Sequence, residues 1–286
     1  MTLVSLNKIL EQANEEKYAV GAFNATNINT LRGIVEAAEE NKSPVVIQLA
    51  ESHFKYFPLN RTTMDVFLNI AEDSSVPVCV HLDHGETFEA IVKALAGGFS
   101  SVMVDASKET FEENVRRTKK VIELADILGV TVEAELGVMN AEDGSGKLDY
   151  NHMNNSYTNP NDAKKFVELT HVDALAVAFG TVHGVYASKP HLNFERLREI
   201  KEATKIPLVV HGGSGLSDEE YRKCVENGIN KINYYSTMSY EVTNSIRNFL
   251  NENKKAFLFD IDETTVQAVK QNISAKIKVF GSAGKV

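Results

Sequence analysis

Eight short apolar runs recur along the 286-residue chain, each separated from the next by a longer amphipathic stretch, and this alternation limits the fold more than any other feature. The runs are Ala19–Asn24, Pro44–Ala50, Pro77–Asp83, Ser101–Asp105, Thr131–Gly137, Ala174–Gly180, Pro207–His211 and Lys231–Tyr235. Apolar runs of this length, bounded by Gly and Pro, read as buried strands, and the stretches between them read as helices. Thr110–Leu128 is the clearest helix, with Val115, Val121, Ile122, Leu124, Ala125 and Leu128 compatible with one apolar face. Glu86–Ala96, Asn193–Ala203 and Asp218–Asn227 read as others, and Gly129 and Gly228 sit at helix stops. Strand then helix, eight times over, predicts a parallel sheet closed into a (β/α)8 or TIM barrel, a single domain over 1–286. An open doubly wound sheet is the alternative. The first run is not followed by a Gly-x-Gly-x-x-Gly turn, which disfavours it.

Composition narrows the setting. At 43% hydrophobic and 24% charged residues, the chain is globular in composition and long enough for a large core. A net charge of -9 argues against nonspecific nucleic-acid binding. It leaves phosphate ligands open, because a metal or a helix N-terminus is locally positive. Cys79 and Cys224 are too few for a disulfide framework, which fits a reducing cytoplasmic compartment. Met1-Thr2-Leu3-Val4 shows no secretory pattern and no apolar run approaches membrane-spanning length, so no membrane partner is expected. The longest irregular stretch, 139–159, is rich in Asn, Asp, Gly and Ser and reads as a mobile functional lid or a disordered insertion.

Polar residues gather where the runs end. The first ends at Asn24, the third at Asp83 with His84 beyond it, the fourth at Asp105, and the fifth carries Glu135. The sixth leads into Gly180-Thr181-Val182-His183-Gly184, the seventh into His211-Gly212-Gly213-Ser214-Gly215, and the eighth carries Asn233. In a barrel these ends converge on one face, where active sites are built. Asp83 beside His84 suits metal-assisted proton transfer, although a structural Asp–His hydrogen bond has the same signature. His84, His183 and His211 together form a three-imidazole set with one open position, a catalytic zinc arrangement. A lone histidine is more often an ordinary surface or core residue, the fate expected for His53, His152, His171 and His191, while His81 reads as packed behind the ligands. Gly212-Gly213-Ser214-Gly215 lies between a strand and a helix, where small residues let backbone N–H groups approach a phosphate. A purely conformational glycine turn is the plainer reading of that run taken alone.

These segments resemble the class II, metal-dependent ketose-bisphosphate aldolases, which include fructose-bisphosphate and tagatose-bisphosphate aldolases. The likeness runs from Ala19 almost to the C-terminus. It rests on Val20-Gly21-Ala22-Phe23-Asn24, His81-Leu82-Asp83-His84-Gly85, Ser101 through Ser107, and Glu133-Ala134-Glu135-Leu136-Gly137. It continues through Gly180 to Gly184, Leu208 to Gly215, and Phe280-Gly281-Ser282-Ala283-Gly284-Lys285. The resemblance implies that His84, His183 and His211 bind a catalytic Zn2+ and that Asp83 handles the proton of the ketose C4 hydroxyl. It implies that Asp105 and Glu135 match positions where some members hold a second metal, with an activating monovalent cation as the other option. Gly184, Gly212, Gly213, Ser214, Asn233 and Ser236 match the dihydroxyacetone phosphate site, which Asn24 joins at the rim. Glu142, on the long loop, matches the glutamate that exchanges a proton next to the carbonyl, although a loop acid is also what solvent exposure alone selects. The implied partner is a phosphorylated ketose, with fructose 1,6-bisphosphate the default, and the implied assembly is a homodimer or homotetramer.

Three positions depart from the family pattern. Met139-Asn140 stand where many members have Gly-Gly, Ala50 stands where many have serine near the aldehyde product, and Asn233-Tyr234-Tyr235-Ser236 replaces an Asn-Val-Ala-Thr-like run. They leave the metal chemistry intact and the sugar open between fructose and tagatose bisphosphates or another ketose 1-phosphate. A Schiff-base aldolase needs a desolvated lysine at a strand end, and Phe179-Gly180-Thr181 offers none. A phosphosugar isomerase or epimerase also uses enediolate chemistry on a barrel. A non-catalytic phosphosugar binder has no need for acids such as Asp83 and Glu142.

Overall fold

Among the described residues, every strand pairs in parallel with its sequence neighbours, and the last pairs with the first. The computed structural model describes residues 2–137, 157–181 and 190–286. Its eight strands close in the order β1 to β8: β1 (Val20–Asn24), β2 (Val45–Ala50), β3 (Val78–Gly85), β4 (Ser101–Val104), β5 (Thr131–Leu136), β6 (Ala174–Val177), β7 (Leu208–Val210) and β8 (Ile229–Asn233). Closure is fixed by Val20 opposite Lys231 and Ala22 opposite Asn233. The sequence therefore reads correctly as a (β/α)8 barrel.

Helix α1 (Leu6–Glu16) precedes β1, and α2 (Ile28–Glu40), α3 (Arg61–Asp73), α4 (Phe88–Ala96) and α5 (Phe111–Leu128) follow the first four strands. Then come α6 (Pro160–Thr170), α7 (Phe194–Thr204), α8 (Asp218–Glu226), α9 (Ser236–Glu252) and α10 (Leu258–Phe280). Start signals are chemical: Thr110 Oγ1 accepts from Glu113 N at 3.3 Å, and Ser217 with Glu220 forms a capping box. Helix α5 ends at Gly129 with φ 67.

The apolar face expected for α5 needs correction. Val121 and Ala125 are buried, but Leu124 and Leu128 are exposed, and the inner stripe is completed by Asn114 and Thr118. Asn114 Nδ2 donates to the Glu135 carbonyl at 2.9 Å, so hydrogen bonding to β5 takes the place of apolar contact. Strand limits also shift. Strand β3 runs on to Gly85, whereas β4, β6 and β7 stop at Val104, Val177 and Val210, short of Asp105, Gly180 and His211. Strand β8 begins at Ile229 and stops at Asn233, leaving Tyr235 in the turn. Ladder pairing thus ends before Asp105, Gly180 and His211, which belong to the loops, while Asn24, Asp83, Glu135 and Asn233 stay within their strands.

Alternation along the strands divides the barrel interior into two levels. Val20, Ala22, Val46, Cys79, Ala174, Ala176 and Val209 form a small apolar cluster that α1 plugs with Leu6, Ile9, Leu10 and Ala13. Continuing the same alternation upward gives Asn24, Gln48, His81, Asp83, Glu133, Glu135, Lys231 and Asn233, all buried. The intervening residues, such as Phe23, Ile47, Val80 and Leu82, pack outward on the helices in the main core. The barrel is thus apolar at its base and polar at its top.

Candidate functional site

Asp83 lies at the centre of the polar level. Asn24 Nδ2 donates to its Oδ2 at 2.7 Å and Asn233 Nδ2 to its Oδ1 at 3.0 Å. Each amide is itself oriented: Gln48 Nε2 donates to Asn24 Oδ1 at 2.9 Å, and Lys231 Nζ to Asn233 Oδ1 at 2.8 Å. Burial works against the charged form, but His84, His211, Lys231 and the Asn24 amide outweigh it, and the carboxyl is pushed down to about 2.

His84 follows at once but escapes the alternation. A register shift between Leu82 and Gly85 interrupts the β3–β4 ladder, and His84 has φ 44. Left-handed backbone at a non-glycine residue costs about 1–3 kcal/mol and persists where surrounding contacts impose it. Here the irregularity places two consecutive side chains, Asp83 and His84, at one site. His84 Nδ1 and Asp105 Oδ2 are 2.7 Å apart, leaving Nε2 on the side of Asp83 Oδ1, 4.0 Å away. Burial disfavours the imidazolium, yet Asp83, Asp105 and Glu135 together push His84 up to about 10.

His211 closes the group from β7. Its Nε2 lies 2.8 Å from Glu133 Oε1 and its Nδ1 3.0 Å from Glu135 Oε2. Glu133 also pairs with Lys231 Nζ at 2.9 Å, entirely out of solvent. Its carboxyl is drawn well below the ordinary range because Lys231 and His211 outweigh burial. Behind them, His81 is fully buried with Nδ1 2.9 Å from Ser101 Oγ, and burial together with Lys231 lowers it to about 3, so it stays neutral.

Two overlapping sets of donors can hold a metal: Asp83, His84 and His211, and His84, Asp105 and Glu135, with the donor atoms of each set within 4.8 Å of one another. The donor chemistry fits. One ring nitrogen of each imidazole faces a carboxylate that orients it, Asp105 for His84 and Glu133 for His211. The carboxylates that pull a proton onto His84 favour any cation at the same point. His183, Gly184 and Glu142 lie outside the described residues, as does nearly all of the 139–159 loop.

The cavity above this cluster has Asp83 and His84 as its floor. Gly212, Gly213 and Ser214 form one wall with Ser236, the first residue of α9. Ser214 Oγ accepts from Tyr235 N at 3.1 Å and Ser236 N at 3.0 Å, joining the glycine turn to that helix N-terminus. At Gly213 a Cβ would stand 2.9 Å from the Asn233 carbonyl, so the close approach requires glycine. Tyr221 Oη donates to the Gly213 carbonyl at 2.6 Å and fixes the turn from beneath.

Ala50, Ser52, His53 and Tyr235 line the remaining wall. His53, expected as an ordinary histidine, lines this cavity, and its ring packs 4.8 Å from Tyr235. The expectation holds for His171, the C-cap of α6, and for His191, whose carbonyl accepts from Tyr157 Oη at 3.0 Å. His152 lies outside the described residues. Sequence reading also passed over Gln48, Glu133 and Lys231. Each stands two residues before a position it singled out (Ala50, Glu135, Asn233), and the strand period would have revealed them. No comparable signal marks Glu51, whose carboxylate accepts from Glu86 N at 2.8 Å, Thr87 N at 3.0 Å and Thr87 Oγ1 at 2.6 Å, tying the β3 loop to β2.

Comparison with known proteins agrees with this arrangement. The family described as fructose-bisphosphate aldolase class-II matches residues 4–285. The fructose-bisphosphate aldolase of Geobacillus stearothermophilus is 37% identical, the match covering 100% of this chain and 99% of that protein. That of Thermus caldophilus is 40% identical over 99% of both. The crystal structure of the YdjI aldolase from Escherichia coli K12 superposes with a TM-score of 0.88 at 36% identity, covering 99% of each chain. Matched end to end by relatives of this similarity, the chain belongs to the class II fructose-bisphosphate aldolases and is an aldolase, a carbon–carbon lyase.

Proposed function

We propose that this chain is a zinc-dependent aldolase that reversibly cleaves a ketose 1,6-bisphosphate, fructose 1,6-bisphosphate first, into dihydroxyacetone phosphate and an aldehyde such as glyceraldehyde 3-phosphate. The observation that carries the reading is Asp83: an ionised carboxylate held between two amides, beside His84, facing a cavity walled by a glycine turn. In the cleavage direction Asp83 accepts the C4 hydroxyl proton, the C3–C4 bond breaks, and C4 leaves as the aldehyde carbon. Asn24 and Asn233 keep Asp83 charged and aimed. Glu142 delivers the proton that C3 gains. Gly212, Gly213, Ser214 and the N-terminus of α9 at Ser236, with Gly184, bind the phosphate of the dihydroxyacetone phosphate half. His84, His183 and His211 hold the zinc, and Asp105 and Glu135 with His84 suit a second metal or a monovalent cation. Bound zinc supplies Lewis-acid stabilisation of the negative charge that bond cleavage develops.

The same reading treats residues 1–286 as one catalytic domain of a cytoplasmic homodimer or homotetramer. Among the described residues no helix is long and apolar enough to cross a membrane. Tagatose 1,6-bisphosphate and other ketose 1-phosphates are the alternative substrates, because Ala50 and Tyr235, two departures from the family pattern, line the cavity. The deciding experiment is a product assay on the zinc-loaded enzyme across ketose 1-phosphates and bisphosphates of defined stereochemistry. Release of dihydroxyacetone phosphate and an aldehyde is expected. Formation of an isomeric sugar with no aldehyde overturns the proposal.

A further inference from the structure

His53, with Ser52 and Tyr235, is one of the polar side chains lining the cavity that the reaction above leaves unused. It ends the short 3-10 turn Glu51–His53 after β2, and Glu51 anchors that turn to the β3 loop. Its ring is braced on Tyr235, with centroids 4.8 Å apart and planes inclined by 53°. It lines the cavity together with Ala50, Ser52, Asp83 and His84. Its Nδ1 is sealed from solvent with no hydrogen-bond partner among the described residues.

That sealed nitrogen fixes the ring's chemistry. A proton on Nδ1 would leave an N–H donor buried with no acceptor, the rarer and costlier arrangement, whereas a proton on Nε2 buries only a lone pair. The neutral ring therefore carries its hydrogen on Nε2, the ring nitrogen that is not sealed, on a residue that lines the cavity. Burial, foremost, lowers His53 from the ordinary histidine range, in keeping with a neutral donor.

We propose that His53 is a specificity-determining residue whose Nε2–H donates to a hydroxyl oxygen of the aldehyde half of the substrate. It supplies a hydroxyl-recognising group in a cavity where Ala50 has no side-chain donor. The proposal rests on the aldolase reading and assigns the aldehyde end of that same site: a hydroxyaldehyde oriented by a neutral donor, with Tyr235 holding the donor in place.

The test runs the zinc-loaded enzyme in the condensation direction with dihydroxyacetone phosphate and either glycolaldehyde, which carries a hydroxyl beside the carbonyl, or acetaldehyde, which does not. The readout is the ratio of kcat/KM for the two aldehydes, compared between wild type and variant so that intrinsic reactivity cancels. One hydrogen bond corresponds to a preference of up to about tenfold. His53→Ala is expected to lose that part of the ratio through KM for glycolaldehyde, with KM for dihydroxyacetone phosphate nearly constant. His53→Gln, whose amide nitrogen takes the place of Nε2, is expected to restore it. The proposal is overturned if the ratio survives in His53→Ala, if His53→Gln behaves like His53→Ala, or if KM for both substrates rises in parallel. A wild-type enzyme that condenses neither aldehyde and exchanges no proton on dihydroxyacetone phosphate refutes the aldolase reading itself, a result distinct from a lost preference.

Discussion

Asp83 is almost fully buried, yet its carboxyl is held down to about 2, because two amides and three cationic neighbours favour the anion more than burial opposes it. A group whose folded-state value is depressed contributes stability that is present above its ordinary value of 3.8 and is lost as pH falls toward about 2. Any acid limb of activity above that window thus arises elsewhere, with protons competing for the metal-site imidazoles. Asp83→Ala is expected to retain the fold and bound metal while cleavage falls about 10²–10⁴-fold, the usual worth of a positioned acid–base group. Steady-state cleavage rates alongside metal content measure this, and near-normal cleavage would refute the role. Asp83 and His84 were legible as an acid–histidine pair, but the means of bringing both to one site was not. Alternation sends neighbouring side chains to opposite faces, and only the irregularity at His84 overrides it. His53 was illegible for a related reason: nothing in Glu51-Ser52-His53 shows that a tight turn folds back over the cavity.

At the scale of elements, sequence periodicity located the helices better than it oriented them. Helix α5 was found with its cap, but Leu124 and Leu128 face outward, because a polar stripe at Asn114 and Thr118 bonds to the barrel instead. Its first turn carries Glu113, which takes Arg116 at 2.7 Å and Arg117 at 2.8 Å. Those side-chain hydrogen bonds push Glu113 down to about 2 from 4.5. The stabilisation is present above pH 4.5 and is lost as pH falls toward 2. Glu113→Gln is therefore expected to flatten the rise of Tm with pH across that window, by a small amount because the pair is open to solvent. An unchanged slope would show that the network adds nothing. The α2–α10 contact offers a sharper test. A Cβ on Gly33 would lie 2.7 Å from Val269 Cβ and 2.8 Å from the Val266 carbonyl. Alanine is the better helix former by about 1 kcal/mol. Overpacking a tight contact costs about 1–3 kcal/mol, so Gly33→Ala is expected to be neutral to destabilising. A urea midpoint above that of wild type would show that α10 moves aside freely.

At the scale of the whole molecule, the closed strand order puts β3 and β7 on opposite sides of the barrel. Asp83 and His84 come from the first and His211 from the end of the second, and their donor atoms nonetheless lie within 4.8 Å of one another. Eight alternating units made the barrel legible, and one rim of acids and histidines made a candidate metal site legible, because both are periodic signals. The buried layer of Glu133 and Lys231 beneath them was less so, since a charge inside a strand reads locally as solvent-facing. That layer ties β5 to β8 below the cluster through the Glu133–Lys231 pair, and a metal held by Asp83, His84 and His211 would tie β3 to β7 above it. Metal that binds only the folded chain stabilises it by about 2.7 kcal/mol at a free concentration of 100 Kd. Chelation with EDTA is accordingly expected to abolish cleavage and also to lower Tm by several degrees, with readdition of zinc restoring both. In His84→Ala, zinc is expected to leave Tm nearly unmoved, because this variant removes the donor common to both clusters. Differential scanning calorimetry of the two proteins with and without metal separates the cases. A wild-type Tm indifferent to zinc would mean that the metal does not link β3 to β7, even if activity depended on it.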